Sequence, residues 1–138
     1  MNKIGISLTA LPAVFLLTTA IGTPPASASS GQSPSSPEFY TTQVEPILQT
    51  NCARCHGGIN HRGGFSIDSK ESLLKGGKSG PAIVPGHPEQ SLLITLVHPP
   101  DPNAEEQRHM PPKGQLTDTE IATLAQWIKA GALIPEQK

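Results

Sequence analysis

Aromatic side chains are scarce in this 138-residue sequence, which has one Trp, one Tyr and three Phe. Glycine and proline are frequent instead, with 13 and 15 residues that interrupt the chain often. A single domain of this size buries a limited share of its surface, and few large apolar residues make a poor core. The composition therefore predicts a fold that takes apolar bulk from a bound cofactor.

An excess of charge of one sign is also absent. Ten Lys and Arg residues stand against eleven Asp and Glu residues, which leaves a formal net charge of −1. Proteins that bind nucleic acid usually carry a basic stripe or patch. The charge balance therefore does not predict nucleic acid as a partner.

Long apolar runs are absent except at the N-terminus. Residues 1–28 carry Lys3 as their only charge, are apolar from Ile4 to about Ile21, and end in Ala26-Ser27-Ala28. This pattern is typical of a cleaved secretory signal peptide, and a retained membrane anchor is the alternative. We expect a periplasmic or otherwise exported protein without stable membrane insertion after cleavage. Residues 29–37 are rich in Ser and Pro and predict a disordered linker, so one domain should span residues 38–138.

The sequence has only two cysteines, Cys52 and Cys55, and His56 follows the second directly. A C-x-x-C-H run is typical of a c-type haem attachment site, in which each thiol forms a thioether and the histidine ligates the iron. The single motif predicts one haem c per chain. A disulfide is an alternative in an exported protein, but it would close a very short loop and leave His56 unexplained. A zinc site would not use the Cys-His adjacency, and a redox dithiol would require a βαβ setting.

Apolar periodicity and capping residues predict a helix-dominated chain. The expected helices cover residues 38–51 with a bend at Pro46, 70–75 after Ser69, 88–97 after His87, and about 118–130 after Thr117. Residues 63–68 should be extended. Thr117 and Glu120 form a capping box, and Trp127 falls at the border of the last apolar stripe. We expect the first and last helices to pack together, with the haem between helices and loops.

Met110 is the strongest candidate for the second axial iron ligand. It is the only methionine after the predicted signal peptide, and Pro111 and Pro112 stiffen the backbone that follows it. A gap-filling core methionine is the structural alternative. His109 is the main competing ligand, whereas solvent exposure is the default for His61, His87 and His98.

Blocks along most of the chain resemble class I cytochrome c domains, and most closely the planctomycete-type cytochrome c domain family. In chain order the blocks are Val44-x-Pro46-Ile47-Leu48-x-x-Asn51-Cys52-x-x-Cys55-His56-Gly57, Gly63-Gly64-x-x-x-Asp68-Ser69, Leu73-Leu74-x-Gly76-Gly77-x-Ser79-Gly80-Pro81-Ala82-Ile83-Val84-Pro85-Gly86, Ser91-Leu92-Leu93, Met110-Pro111-Pro112 and Trp127-Ile128-x-x-Gly131-Ala132. Two departures from the family pattern, Phe65 for Leu and His87 for Asp, do not touch the expected ligands.

The resemblance implies an all-α, class I cytochrome c-like fold of three to five short helices around one covalently bound haem. It implies haem attachment at Cys52 and Cys55, with His56 and Met110 as axial ligands of the iron. Related families bond the outer nitrogen of the proximal histidine to a backbone carbonyl, and Gly80-Pro81 resembles the Gly-Pro that supplies it. Pro81 is therefore the expected carbonyl partner of His56.

A haem with two protein ligands has no open position for a substrate, which favours electron transfer over catalysis. We expect an electron carrier, not an enzyme, that serves a redox protein donor and acceptor. A peroxidase or a catalytic-subunit haem domain with a displaceable distal ligand is the enzyme alternative. A haem-dependent sensor is the interaction alternative.

Overall fold

The computed structural model describes residues 32–100, 103 and 108–136. Within these residues the chain is helical and contains no β-strand, only an isolated bridge between Gly77 and Gly80. The prediction of an all-α fold is confirmed. No helix in the described ranges is long and apolar enough to cross a membrane.

The two predicted segments before the domain lie wholly or partly outside the described residues. The signal peptide, residues 1–28, is entirely outside them. Of the predicted linker, residues 29–37, the described part contains a turn in which the Ser36 amide donates to the Ser33 carbonyl at 2.8 Å. Pro37 already belongs to the first helix. Disorder of this segment stays a prediction.

The first helical segment is irregular next to Pro46, as the sequence predicts. Helix α1 spans Pro37–Phe39, a π-helical stretch covers Tyr40–Val44, and helix α2 spans Glu45–Asn51. Pro46 has no amide hydrogen to donate to the preceding turn, and the wider π turn just before it accommodates this loss. A one-turn helix, α3 at Ala53–His56, continues the chain through the C-x-x-C-H motif.

Helix α4 spans Lys70–Lys75 and has the predicted ends. The Ser69 hydroxyl accepts the Ser72 amide at 3.1 Å, and Gly76 ends the helix at φ 78°. The extended run predicted for residues 63–68 is interrupted by a 3-10 turn at Arg62–Gly64. Beyond that turn Ile67 is buried and Phe65 is half-buried, in line with the predicted inward positions.

The helix predicted over residues 88–97 is two elements in the structure, and that prediction was wrong in this respect. Pro88–Gln90 form a 3-10 turn, and helix α5 begins only at Leu92 and ends at Val97. Ser91 between them is fully buried and extended. Its hydroxyl accepts the Val84 amide at 2.9 Å and donates to the His87 carbonyl at 2.9 Å. These bonds to the preceding loop fix Ser91 outside helical geometry.

Helix α6 spans Asp118–Lys129 and begins with the predicted capping box. Trp127, expected at the border of its apolar stripe, is fully buried. The indole Nε1 donates to the Leu133 carbonyl at 2.9 Å, and the ring centroid lies 5.6 Å from that of Tyr40. The first and last helical segments therefore pack together as predicted. The largest fully buried apolar side chains are those of Val44, Leu48, Leu73, Leu124, Trp127 and Ile128.

Candidate haem-binding site

One cleft brings together the four side chains that the sequence nominates for haem attachment and ligation. Cys52, Cys55, His56 and Met110 all line it. Its volume of about 230 Å³ is several times the roughly 30 Å³ that one water molecule occupies. The cleft is therefore of a size for a ligand or cofactor rather than for a single bound water. The remaining walls are mostly apolar and include Phe65, Ala82, Leu92, Leu93, Leu96, Val97, Pro111 and Pro112.

The short helix α3 presents the C-x-x-C-H motif to the cleft. The amides of Cys55 and His56 both donate to the Cys52 carbonyl, at 3.0 and 2.9 Å. No disulfide joins Cys52 and Cys55, and both are partly buried. Burial, with a smaller contribution from the neighbouring Cys55, raises the pKa of the Cys52 thiol to about 11. Cys52 is therefore a neutral thiol at physiological pH, as suits an apolar site.

His56 is oriented by the Phe65 carbonyl rather than by Pro81. The His56 Nδ1 atom lies 3.3 Å from the Phe65 carbonyl oxygen, and the two rings are 5.1 Å apart between centroids. When Nδ1 carries the proton and donates to this carbonyl, Nε2 is left free as a ligand atom. Pro81 is exposed and does not line the cleft, although Gly80 and Ala82 do. Phe65 therefore supplies the carbonyl that contacts His56 in this structure, and the role expected for Pro81 stays a prediction.

Asp68 fixes the loop that follows His56. Its carboxylate accepts the Gly58 amide at 3.1 Å and the Ser66 hydroxyl at 2.8 Å, and it lies 3.3 Å from His61 Nε2. The Ser66 and Gly58 hydrogen bonds, in that order, lower the pKa of Asp68, because they stabilise its ionised form. The neighbouring Ile67 amide donates to the His56 carbonyl at 2.8 Å. The loop therefore returns to the motif and holds the backbone of His56.

Met110 reaches the cleft from a segment tied to helix α5. Its amide donates to the carbonyl of Leu96, a residue that also lines the cleft, at 2.6 Å. The neighbouring His109 does not line the cleft; its Nε2 lies 3.3 Å from the Gly114 carbonyl. His61 and His87 each face a carboxylate, and both they and His98 are exposed.

The part of the chain that forms these walls matches a known family. Residues 52–114 fit the family model described as planctomycete cytochrome C. This segment is similar to a planctomycete-type cytochrome c domain. The matched residues include both cysteines, His56 and Met110. Comparison with curated proteins and with solved structures gives no match.

Two glycines allow the backbone behind the cleft to pack closely. A Cβ atom on Gly77 would stand 2.6 Å from the Gly63 carbonyl oxygen, and one on Gly76 would overlap the Gly80 carbonyl and the Ala82 amide. The Lys78 amide donates to the Gly63 carbonyl at 2.8 Å. The backbone at Gly76 and Gly77 therefore lies in contact with the backbone at Gly63 and at Gly80–Ala82, and only glycine fits at these two positions.

The residues of the cleft fit a covalently bound haem, which similarity to a cytochrome c family implies. Cys52 and Cys55 would hold the porphyrin, His56 Nε2 and the Met110 sulfur are donors suited to iron, and apolar walls would exclude water. When bound, the haem supplies a one-electron redox centre. In contrast, no cluster of three or more His, Cys, Asp or Glu side chains within the described ranges is arranged to hold a metal ion.

Proposed function

We propose that this c-type cytochrome is a monohaem electron carrier that transfers single electrons outside the cytoplasm. Cys52 and Cys55 attach the haem, and His56 and Met110 ligate its iron. The observation that carries the proposal is that all four side chains line one apolar cleft, although Met110 is far from the motif in sequence. Its partners are a redox protein donor and a redox protein acceptor.

The walls of the cleft support electron transfer over substrate chemistry. Apart from the thiols, His56 and two arginines, the lining residues that the structure describes include no ionisable side chain, and none of them offers a carboxylate as general acid or base. A haem held by His56 and Met110 would leave no open position on the iron. Methionine as second ligand also raises the reduction potential relative to a second histidine.

The choice of Met110 over His109 rests on the same geometry. Met110 is in the cleft, whereas the His109 ring contacts the Gly114 carbonyl outside it. The Phe65 carbonyl supports His56 as the other ligand, because a bond to Nδ1 orients the ring and increases the donor strength of Nε2. Export, proposed from residues 1–28, fits this chemistry because bacterial haem c attachment occurs outside the cytoplasm.

The first test is whether the matured protein holds haem through thioethers. We expect haem to stay on the polypeptide in a denaturing gel, with one haem per chain by pyridine haemochrome assay. Cys52→Ser and Cys55→Ser should each weaken retention, and the double variant should abolish it. Haem that washes out of the denatured wild type would contradict the proposal.

The second test separates the electron carrier from the peroxidase alternative. Reduced wild-type protein should bind no carbon monoxide and turn over no peroxide, because both axial positions are filled. Met110→Ala should bind carbon monoxide, since its iron has lost one ligand. Carbon monoxide binding by the wild type would favour the enzyme.

A further inference from the structure

The ionisable lining of the cleft has an uneven charge balance. Apart from the two thiols and His56, the ionisable residues among the described lining are Arg62 and Arg108, and no carboxylate of residues 32–100 or 108–136 lines the cleft beside them. Neither arginine forms an ion pair with an Asp or Glu of the described residues; the three pairs there involve His61, Lys70 and His87. The chain as a whole is slightly acidic, so two arginines at one cleft without a carboxylate partner among the described residues are not a consequence of its composition.

Arg62 is held at the cleft by its backbone. It begins the 3-10 turn Arg62–Gly64, whose Gly63 carbonyl accepts the Lys78 amide at 2.8 Å. The close crossing of Gly63 with Gly77 leaves no space for the turn to shift toward the neighbouring segment. The backbone of Arg62 is therefore held in place, and the guanidinium moves only by rotation about the side-chain bonds.

Arg108 reaches the cleft from a different segment of the chain. It lies two residues before Met110, whose amide is bonded to Leu96 at the end of helix α5. The next residue, His109, is tied to the Gly114 carbonyl. Two separate segments, one after the C-x-x-C-H motif and one before Met110, thus each contribute one arginine to the same cleft.

We propose that Arg62 and Arg108 bind the two haem propionates. This inference rests on the proposed haem site. A haem brings two carboxylates into a cleft whose walls are otherwise apolar, and carboxylates removed from water require a countercharge or several hydrogen bonds. Arginine presents a planar fork of donors that matches a carboxylate in a bidentate pair, and it stays protonated at any physiological pH. The two arginines match the two propionates in number and charge, and no carboxylate among the described lining residues competes for them.

The experiment measures the midpoint potential of the haem-loaded protein by spectroelectrochemistry. We compare wild type with Arg62→Gln, Arg108→Gln, the double variant, and Arg62→Lys. Lys78→Gln is the matched control, because Lys78 is exposed, lies beside Arg62 at the backbone crossing, and does not line the cleft. A cation near the haem disfavours the oxidised, more positive state, so its removal lowers the potential.

We expect each Arg→Gln variant to lower the midpoint potential by at least about twice as much as Lys78→Gln does. Coulomb interactions weaken with distance and solvent exposure, so the control charge should have the smaller effect. The double variant should shift further, and Arg62→Lys should recover most of the wild-type value. Loss of a guanidinium should also raise the propionate pKa, so that the potential of the variant becomes pH-dependent at higher pH than in wild type.

The overturning result is an Arg→Gln shift equal to that of Lys78→Gln in protein that retains covalent haem and normal axial ligation. If such variants instead lose only their rate with an acidic redox partner, the arginines face that partner and the proposal is wrong. Absence of covalent haem from the wild type is a different failure, because it removes the proposed function itself.

Discussion

The two sides of this domain differ in how completely the polypeptide fills them. On one side, helices α2 and α6 and the π turn bury Val44, Leu48, Leu124, Trp127 and Ile128 almost completely. On the other side, the cleft is lined by half-buried residues such as Cys55, Phe65 and Leu96, from the short helices α3 and α5 and from loops rich in glycine and proline. The helical side is complete as a protein core. The cleft side is complete only with a cofactor, which accounts for the poverty of large apolar residues in the sequence.

The largest expected effect follows from blocking haem attachment. The double variant Cys52→Ser, Cys55→Ser should carry no covalent haem, since both thioether positions are gone. Amide hydrogen exchange should then show lost protection in residues 57–65, 77–82 and 108–112, but retained protection in Glu45–Asn51 and Asp118–Lys129. Equal loss of protection on both sides would contradict the division of the domain into a self-sufficient side and a haem-dependent side.

Trp127→Ala tests the helical side. The indole is fully buried, packs against Tyr40 and donates to the Leu133 carbonyl. Its removal should lower the free energy of unfolding by about 3–5 kcal/mol, measured by denaturant titration, while the folded fraction keeps the wild-type haem spectrum. Ile59→Ala is the control, because Ile59 is 97% exposed and its loss should change stability by less than about 0.5 kcal/mol. Similar effects of the two substitutions would refute this assignment of the core.

Gly76→Ala tests the wall of the cleft. Both Gly76 and the control Gly86 have positive φ, 78° and 84°, so each loses backbone freedom when substituted. Only at Gly76 would the new Cβ meet the backbone of Gly80 and Ala82; nothing lies within 4 Å at Gly86. We expect Gly76→Ala to destabilise the holoprotein by about 2–4 kcal/mol and to reduce haem loading, against about 1 kcal/mol for Gly86→Ala. Equal losses would mean that the crossing is not tight.

The smallest expected effect is at the joint between the first and last helical segments. Glu120 accepts the Thr117 amide at 2.8 Å and the Asn51 side-chain amide at 3.3 Å. The Thr117 hydrogen bonds, backbone first, lower the pKa of Glu120 in the folded protein. Glu120→Gln should therefore cost up to about 1 kcal/mol at pH 7.

The cost of Glu120→Gln should depend on pH in one direction. Because the folded-state pKa is lowered, ionised Glu120 contributes stability above its unfolded pKa, and this contribution is lost as the pH falls through the folded pKa. The stability difference between wild type and variant should thus shrink toward zero in acid. Glu71→Gln serves as the control, because Glu71 is exposed and its side chain forms no hydrogen bond or ion pair with another described residue. A difference that grows in acid would contradict this assignment.

The sequence predicted those elements whose determinants are local. Ser69 and Gly76 mark both ends of α4, Thr117 and Glu120 mark the start of α6, and Pro46 marks the interruption of the first helix. Each of these signals acts within one turn of the chain, so no knowledge of the fold is needed to interpret it.

The errors concern residues whose role depends on distant segments. Ser91 is outside the helix because its hydroxyl bonds to the loop at Val84 and His87. Trp127 is central because the π turn places Tyr40 against it. The Phe65 carbonyl faces His56 because Asp68 returns the loop to the motif, a contact that the sequence did not indicate. Asp68 belongs to the Gly63-Gly64-x-x-x-Asp68-Ser69 block that the sequence shows. The sequence does not show which groups Asp68 bonds, because they depend on the folded loop.

The central claim, that the cleft places His56 and Met110 as the two ligands of one haem iron, is tested most directly by the optical spectrum of the matured protein. We predict a low-spin oxidised spectrum with the weak far-red band of iron–methionine ligation. The band should disappear in Met110→Ala and persist in His109→Ala. A low-spin spectrum that lacks the band and is altered by His109→Ala, or a high-spin spectrum in the wild type, would contradict the account.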